Sequence, residues 1–230
     1  MFTFAPDLIR QNMMKKILTL LYLLGSVLVA SAQDNDSFNK NSIALGGELT
    51  LQGTWQVDVS YHRMFTPYVG VGASVGMWKQ VSYHGVPEGN GWIVSSDYRE
   101  AEDFFFRPSL RLVSPTVLKI ADAKLKLFAE PGFMMNIPLG NVFVDLLGNY
   151  NLPKDVVNVH TNKGTWYAFD CKLGLSVDVG DMSIWTGYKF STLDTYALRR
   201  NLVYDNVRFN DFYPKKKCMH GIFLAVSYNF

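Results

Sequence analysis

Apolar and polar residues alternate with a period of two over most of the chain after residue 41, and no sustained helical period interrupts them. The alternation predicts eight strands, at 42–51, 54–64, 68–79, 103–113, 123–133, 165–179, 182–191 and 218–230. In the first, Ile43, Leu45 and Leu49 share a face opposite Ala44, Gly46 and Glu48. In the second, Trp55, Val57, Val59 and Tyr61 oppose Gln56, Asp58, Ser60 and His62, and in the sixth Leu173, Leu175 and Val177 oppose Lys172, Gly174 and Ser176. Each segment has one apolar face and one that is polar or small, so the two sides of the sheet meet different surroundings. Pro108 and Pro131 fall inside predicted strands, where a local bulge is expected to accommodate them.

Alternation does not say which face is inside. A soluble, ligand-binding barrel of the periplasm turns its apolar face inward, whereas a membrane-spanning barrel turns it outward. Connection lengths favour the second. The second and sixth strands are followed by tight turns, 65–67 and Gly180-Asp181, but about 20 to 30 residues follow the third, fifth and seventh. Short turns at one end and long loops at the other characterise transmembrane barrels. Aromatics at the ends of the apolar faces, among them Tyr61, Phe104, Phe106, Tyr167, Tyr188, Phe190, Tyr228 and Phe230, suit the two membrane boundaries. The expected class is therefore all-β, a transmembrane antiparallel up-and-down barrel of eight strands. Apolar pieces at 141–147 and 156–159 either extend strands above the membrane or form a hairpin, which makes ten strands the architectural alternative.

The amino-terminal stretch has another character. Lys15-Lys16 precedes an unbroken apolar run over 17–30 and a small-x-small site, Ala30-Ser31-Ala32, before Gln33. That is a secretory signal cleaved between Ala32 and Gln33; the run falls short of the roughly 20 apolar residues that span a bilayer. Met13 or Met14 is the natural start, so residues 1–32 are an upstream extension plus signal, 33–41 a short periplasmic lead-in and 42–230 the barrel. Leaving out residues 1–32 removes Asp7, Arg10, Lys15 and Lys16, and 19 basic residues then face 19 acidic ones. A neutral chain offers nucleic acid no basic surface. Cys171 and Cys218 fall on strands separated by a third, about 10 Å apart, and are expected as free thiols.

The last strand carries the most specific pattern. Ala225, Tyr228 and the final Phe230 resemble the carboxyl-terminal assembly signal of bacterial outer-membrane β-barrel proteins, with Ala225 in the usual place of glycine and Phe223 in the usual place of a polar residue. As a whole the chain resembles small, eight-stranded outer-membrane barrels of the porin-like superfamily. The resemblance implies secretion, insertion by the barrel-assembly machinery and residence in the outer membrane of a Gram-negative bacterium. It implies no particular activity, since such barrels include adhesins, structural anchors, narrow channels and a few lipid-modifying enzymes.

Parity assigns Glu48, Asp58, Arg107, Arg111, Lys124, Lys126, Glu130, Asp170, Lys172 and Lys189 to the lumen. An eight-stranded interior is just wide enough for side chains, and buried charges must be paired. A closed, salt-bridged plug is expected, with a structural or surface-interaction role for the long loops; the alternative is a narrow pore whose excess of Arg and Lys slightly favours anions. No nucleophile motif marks an enzyme. His62, His84, His160 and His220 lack the short paired spacing of zinc sites, so neither metal nor cofactor is expected. The Gly70, Gly72 and Gly76 run has no following helix to bind phosphate and is expected to make room for Arg107 or Arg111. In the last loop, Arg199, Arg200 and Lys215-Lys216-Lys217, among Tyr196, Tyr204, Phe209, Phe212 and Tyr213, are candidates to pair with lipopolysaccharide phosphates beside the outer-membrane lipid.

Overall fold

A computed structural model of the chain describes residues 38–80, 85–148, 152–215 and 218–230, and for 96–102 the backbone alone. The signal-like segment with Ala32 and Gln33, His84, Lys216 and Lys217 lie outside the described residues.

The strands in chain order are β1 (Asn41–Thr50), β2 (Thr54–Met64), β3 (Val69–Gln80), β4 (Glu88–Gly89), β5 (Trp92–Val113), β6 (Leu118–Ile120), β7 (Ala123–Leu147), β8 (Pro153–Thr161), β9 (Tyr167–Val179), β10 (Met182–Asp194), β11 (Val203–Tyr204), β12 (Val207–Arg208) and β13 (Cys218–Asn229). Eight of them, β1, β2, β3, β5, β7, β9, β10 and β13, each pair antiparallel with their neighbours in that order. Pairing of β13 with β1, from Ser42↔Asn229 to Thr50↔Gly221, closes the ring. Closure leaves the eight-stranded ring itself no edge to aggregate. Both described ends of the chain and the turns after β2 and β9 lie at one end of the barrel, here the turn end, while the short β1–β2 turn over 51–53 lies at the other; Gly180 at the turn end has a φ of +58°, which a two-residue hairpin turn demands.

The alternation now has a direction. Leu45 is 65% and Leu224 57% exposed on the outside, while Arg107 is 1% and Lys189 0% exposed within. A soluble barrel with its apolar faces around a ligand is the reverse of this arrangement. Tyr61, Tyr228 and Phe230 ring the turn end; Phe104, Phe106, Phe133, Tyr167, Phe169, Tyr188 and Phe190 ring the other. The rings interlock, Phe133 with Tyr167 at 5.8 Å and with Phe169 at 5.2 Å, Tyr188 with Phe190 at 4.8 Å. From Ile222 to Phe230 the outward face of β13 covers roughly 27 Å along the strand, or about 20 Å of height at a tilt of about 40°.

Two strands run past the belt. β5 begins at Trp92 rather than at 103 and β7 ends at Leu147 rather than at 133, so most of two expected loops is paired strand. Their pairing shifts register between Val94 and Arg99, above the barrel. The 141–147 and 156–159 pieces do form a hairpin, but β8 pairs only with β7 among the described residues, so the hairpin stands above the ring and the barrel keeps eight strands. The expected bulges at the prolines are absent. Pro108 pairs with Ala73 and Pro131 with Cys171 on their outer neighbours, and across the β5–β7 seam that both adjoin, register is the same on either side, at Phe106↔Met135 and Ser109↔Gly132. Concentrating both prolines beside one seam confines their missing N–H donors to it. Cys171 and Cys218 are unbridged.

Leu224→Arg puts a charge on the belt and is expected to lower folding stability in lipid vesicles by about 2–4 kcal/mol in urea titration. Val156→Arg, on an equally exposed residue of β8 above the belt, is expected to leave it unchanged.

Candidate functional site

Parity alone sends even residues of β1, β2, β3, β7 and β9 and odd residues of β5, β10 and β13 into the lumen. They fill it in layers. Toward the loop end Trp78, Phe105, Met134, Ala168, Leu193 and Met219 form an apolar layer. One or two inward positions nearer the turn end come the charges, and below them Ala44, Phe128, Trp185, Phe223 and Ala225 form a second apolar layer.

The charged layer is one network. Arg107 donates from Nε to both oxygens of Asp170, at 2.7 and 2.8 Å, from Nη1 to Glu130 Oε1 at 2.5 Å, and from Nη2 to the Glu130 carbonyl at 2.9 Å. Arg111 Nη1 donates to the other Glu130 oxygen at 2.9 Å, and His62 Nε2 stands 3.2 Å from the same atom. Lys189 donates to Glu48 at 3.0 Å and to Gln56 at 2.8 Å and lies 3.5 Å from Asp170, which joins this half to the first. Lys172 and Gln56 both donate to Asp58 Oδ2, at 3.0 and 3.3 Å. Glu48, Asp58, Glu130 and Asp170 therefore face Arg107, Arg111, Lys172 and Lys189, four charges of each sign.

That balance removes the excess of lysine and arginine from which an anion preference was expected. Lys126 lies apart from the network, half-buried and paired with Asp178 at 2.9 Å, and Lys124 is exposed. Space for the large groups comes from other glycines than expected. A Cβ on Gly72 would run into His62 and one on Gly76 would meet Phe105, whereas the guanidinium of Arg107 rests against Gly132. Parity in the sequence already held the signal for Phe128, Trp185 and Phe223, which alternate with the outward leucines and isoleucines; their size makes them the floor and walls of the charged layer.

Above the ring the long loops are packed. Trp92, Val94, Val142, Val144, Tyr196, Leu202, Phe209 and Tyr213 form a core of their own, built on the β5–β7 extension and covered by helix α1 (Ala197–Arg200), the β11–β12 hairpin and a 3-10 turn (Phe209–Asp211). Burial pushes the Tyr196 phenol above the ordinary tyrosine range. The arginines expected to face lipid belong to this cap. Arg199 is buried, and Arg200 is held by Asp194 and by the Pro214 carbonyl at 2.7 Å. Lys215 is exposed. Of the histidines, His160 lies on β8 and His220 on the outer face, 2.5 Å from the Tyr188 hydroxyl; among the described residues no group of three His, Cys, Asp or Glu is placed to hold a metal. Ala225 points inward, and Tyr228 and Phe230 point outward at the turn end, 6.1 Å apart.

No family model and no curated protein matches the sequence. Among solved structures the chain is similar to Neisserial surface protein A, with a TM-score of 0.40, 12% identity and coverage of 83% of this chain and 94% of the other. It is similar to Ail, the attachment invasion locus protein of Yersinia pestis, with a TM-score of 0.38, 13% identity and coverage of 84% and 99%. A major outer membrane protein from Thermus thermophilus gives a TM-score of 0.46, 10% identity and coverage of 83% and 98%. Closure of the barrel rests on this chain's own pairing of β13 with β1.

Glu130→Ala strands the buried Arg111 guanidinium and takes one of its two carboxylates from Arg107, and is expected to cost roughly 3–5 kcal/mol, seen as an earlier loss of the compact form on heating in detergent. Lys126→Ala breaks a half-exposed pair, with an expected cost of about 0–1 kcal/mol in the same assay.

Proposed function

We propose that the chain is an outer-membrane β-barrel of a Gram-negative bacterium whose lumen is a closed, charge-balanced plug and whose role is structural or surface interaction through the folded cap. The membrane part of this reading is supported by the continuous belt of exposed aliphatic residues between two aromatic rings. Exposed apolar patches of more than a few hundred Å² are rare on soluble monomers, whereas this belt encircles the barrel. In this reading the turn end faces the periplasm, the cap faces outward, and the terminal strand with Ala225, Tyr228 and Phe230 carries the recognition pattern for the assembly machinery.

The observation that carries the closed state is the filling of the lumen. Any conducting path has to cross the apolar layer around Trp78 and Phe105, the eight paired charges and the aromatic layer around Trp185. Solvated pore charges could be left unpaired at little cost, but in a dry interior each needs a partner, and each of the eight has one. The cap supports a surface role for a different reason. Its own core packs the described loop segments together, so an exposed face such as β8 is presented already ordered, which lowers the entropic cost of binding a partner.

Purified wild-type protein reconstituted in planar bilayers is expected to give no stepwise conductance, and cell fractionation is expected to recover it with outer membranes. Well-resolved single-channel steps overturn the closed plug, and recovery in the soluble periplasmic fraction overturns the membrane reading.

A further inference from the structure

Toward the turn end the lumen is open, past the Trp185 ring as far as Arg111. A polar cavity of about 770 Å³ extends from there to the turn end, lined by Arg111, Lys124, Lys126, Ser176, Ser183 and Trp185 among others. Its size falls within the roughly 300–1,000 Å³ of small-molecule sites. The charged network above is balanced in sign, but one of its members, Arg111, keeps donors to spare on the side of this vestibule.

Its floor is the guanidinium of Arg111. The residue is 4% exposed, its Cζ lies 3.5 Å from the centroid of the Trp185 ring and 4.8 Å from that of Phe128, and Nη1 is spent on Glu130. Nε and Nη2 meet no acceptor among the described residues. These two donors form the flat edge of the guanidinium that pairs with two oxygens of one carboxylate or phosphate. The aromatic rings beneath hold that edge in place, so little freedom is lost when an anion docks. Lys126 and Lys124 add positive charge along the approach. Three acids share the lining: Asp178 is taken up by Lys126 and, at 2.7 Å, by Ser176, and Asp122 and Asp181 sit on turns at the mouth, which leaves the inner end to Arg111.

We propose that the vestibule binds small molecules through an oxyanion, a carboxylate or a phosphate, seated on the Nε–Nη2 edge of Arg111, with Lys126 as a second cation. The rim acids favour ligands whose remaining part is neutral or positive. This site is independent of the membrane in which the barrel sits, because it is a property of the folded barrel alone.

The test titrates the full folded barrel in detergent with acetate and with inorganic phosphate, by calorimetry and by tryptophan emission, against equal ionic strength of sodium chloride. One saturable site is expected for at least one of the two anions, and which of them binds identifies the oxyanion. Lys126→Gln is expected to weaken it about tenfold, as loss of a charge-assisted contact does. Arg111→Lys, which keeps a cation for Glu130, is expected to abolish it, and Trp185→Phe to remove most of the emission change while calorimetric binding remains. Lys126→Gln decides the matter if the Arg111 variant fails to fold, because its pair is half-exposed. Absence of saturable binding, binding that chloride matches, or affinity unchanged by Lys126→Gln overturns the proposal. The measurement needs neither membrane nor bilayer, so its failure is distinct from failure of the closed-barrel reading.

Discussion

A guanidinium in the middle of a narrow barrel cannot be left unmatched, and the geometry around Arg107 follows from that constraint. Both oxygens of Asp170, one oxygen of Glu130 and the Glu130 carbonyl accept its N–H groups. Those acceptors come from β9 and β7 while Arg107 comes from β5, so the same contacts that satisfy the charge pin three neighbouring strands in register. Gly132 supplies the space, since any side chain there would run into the guanidinium. Through Glu130 the network reaches Arg111 and His62, and through Asp170 it reaches Lys189 and Glu48. The network that fills the interior is also what orders the barrel.

The apolar layers on either side make this network worth more than its contacts alone. They shield the charges other than Arg111 from water, which strengthens each pair and raises the cost of breaking one. They also explain why the belt can be so apolar. With polar groups satisfied inside and backbone groups satisfied by closure, the outward faces have no polar demand left to meet. Above the ring the demands change: β5 and β7 leave the belt, and their inward residues, Val142 and Val144 among them, pack under the cap instead of around charges.

Much of this was legible in the sequence, and the parts that were not share a cause. Period-two alternation locates all eight barrel strands because each has lipid-like surroundings on one side and a polar lumen on the other. It fails for 134–147, where Val142, Phe143 and Val144 are apolar in succession because the strand has left the polar lumen for the cap. It fails upstream of 103 too, where the charged residues of 96–102 read as loop. Inward positions of the charges are legible from parity, but their partners are not, because pairing depends on the stagger between strands that only closure sets. Arg199 and Arg200 show the same limit: a basic pair in a loop looks solvent-facing until the loop folds over it.

The central claim, that Arg107 and Glu130 are paired in a dry interior, is tested most directly by a double-mutant cycle of Arg107→Met and Glu130→Met, with stability measured by reversible urea unfolding in lipid vesicles. The account predicts that each single change is strongly destabilising and that the double change recovers a large part of the loss, a coupling of about 2 kcal/mol or more, because the apolar pair leaves less stranded charge than either single change. A coupling near zero, with single changes of no more than about 1 kcal/mol, is what solvated charges give, and it would contradict the sealed lumen.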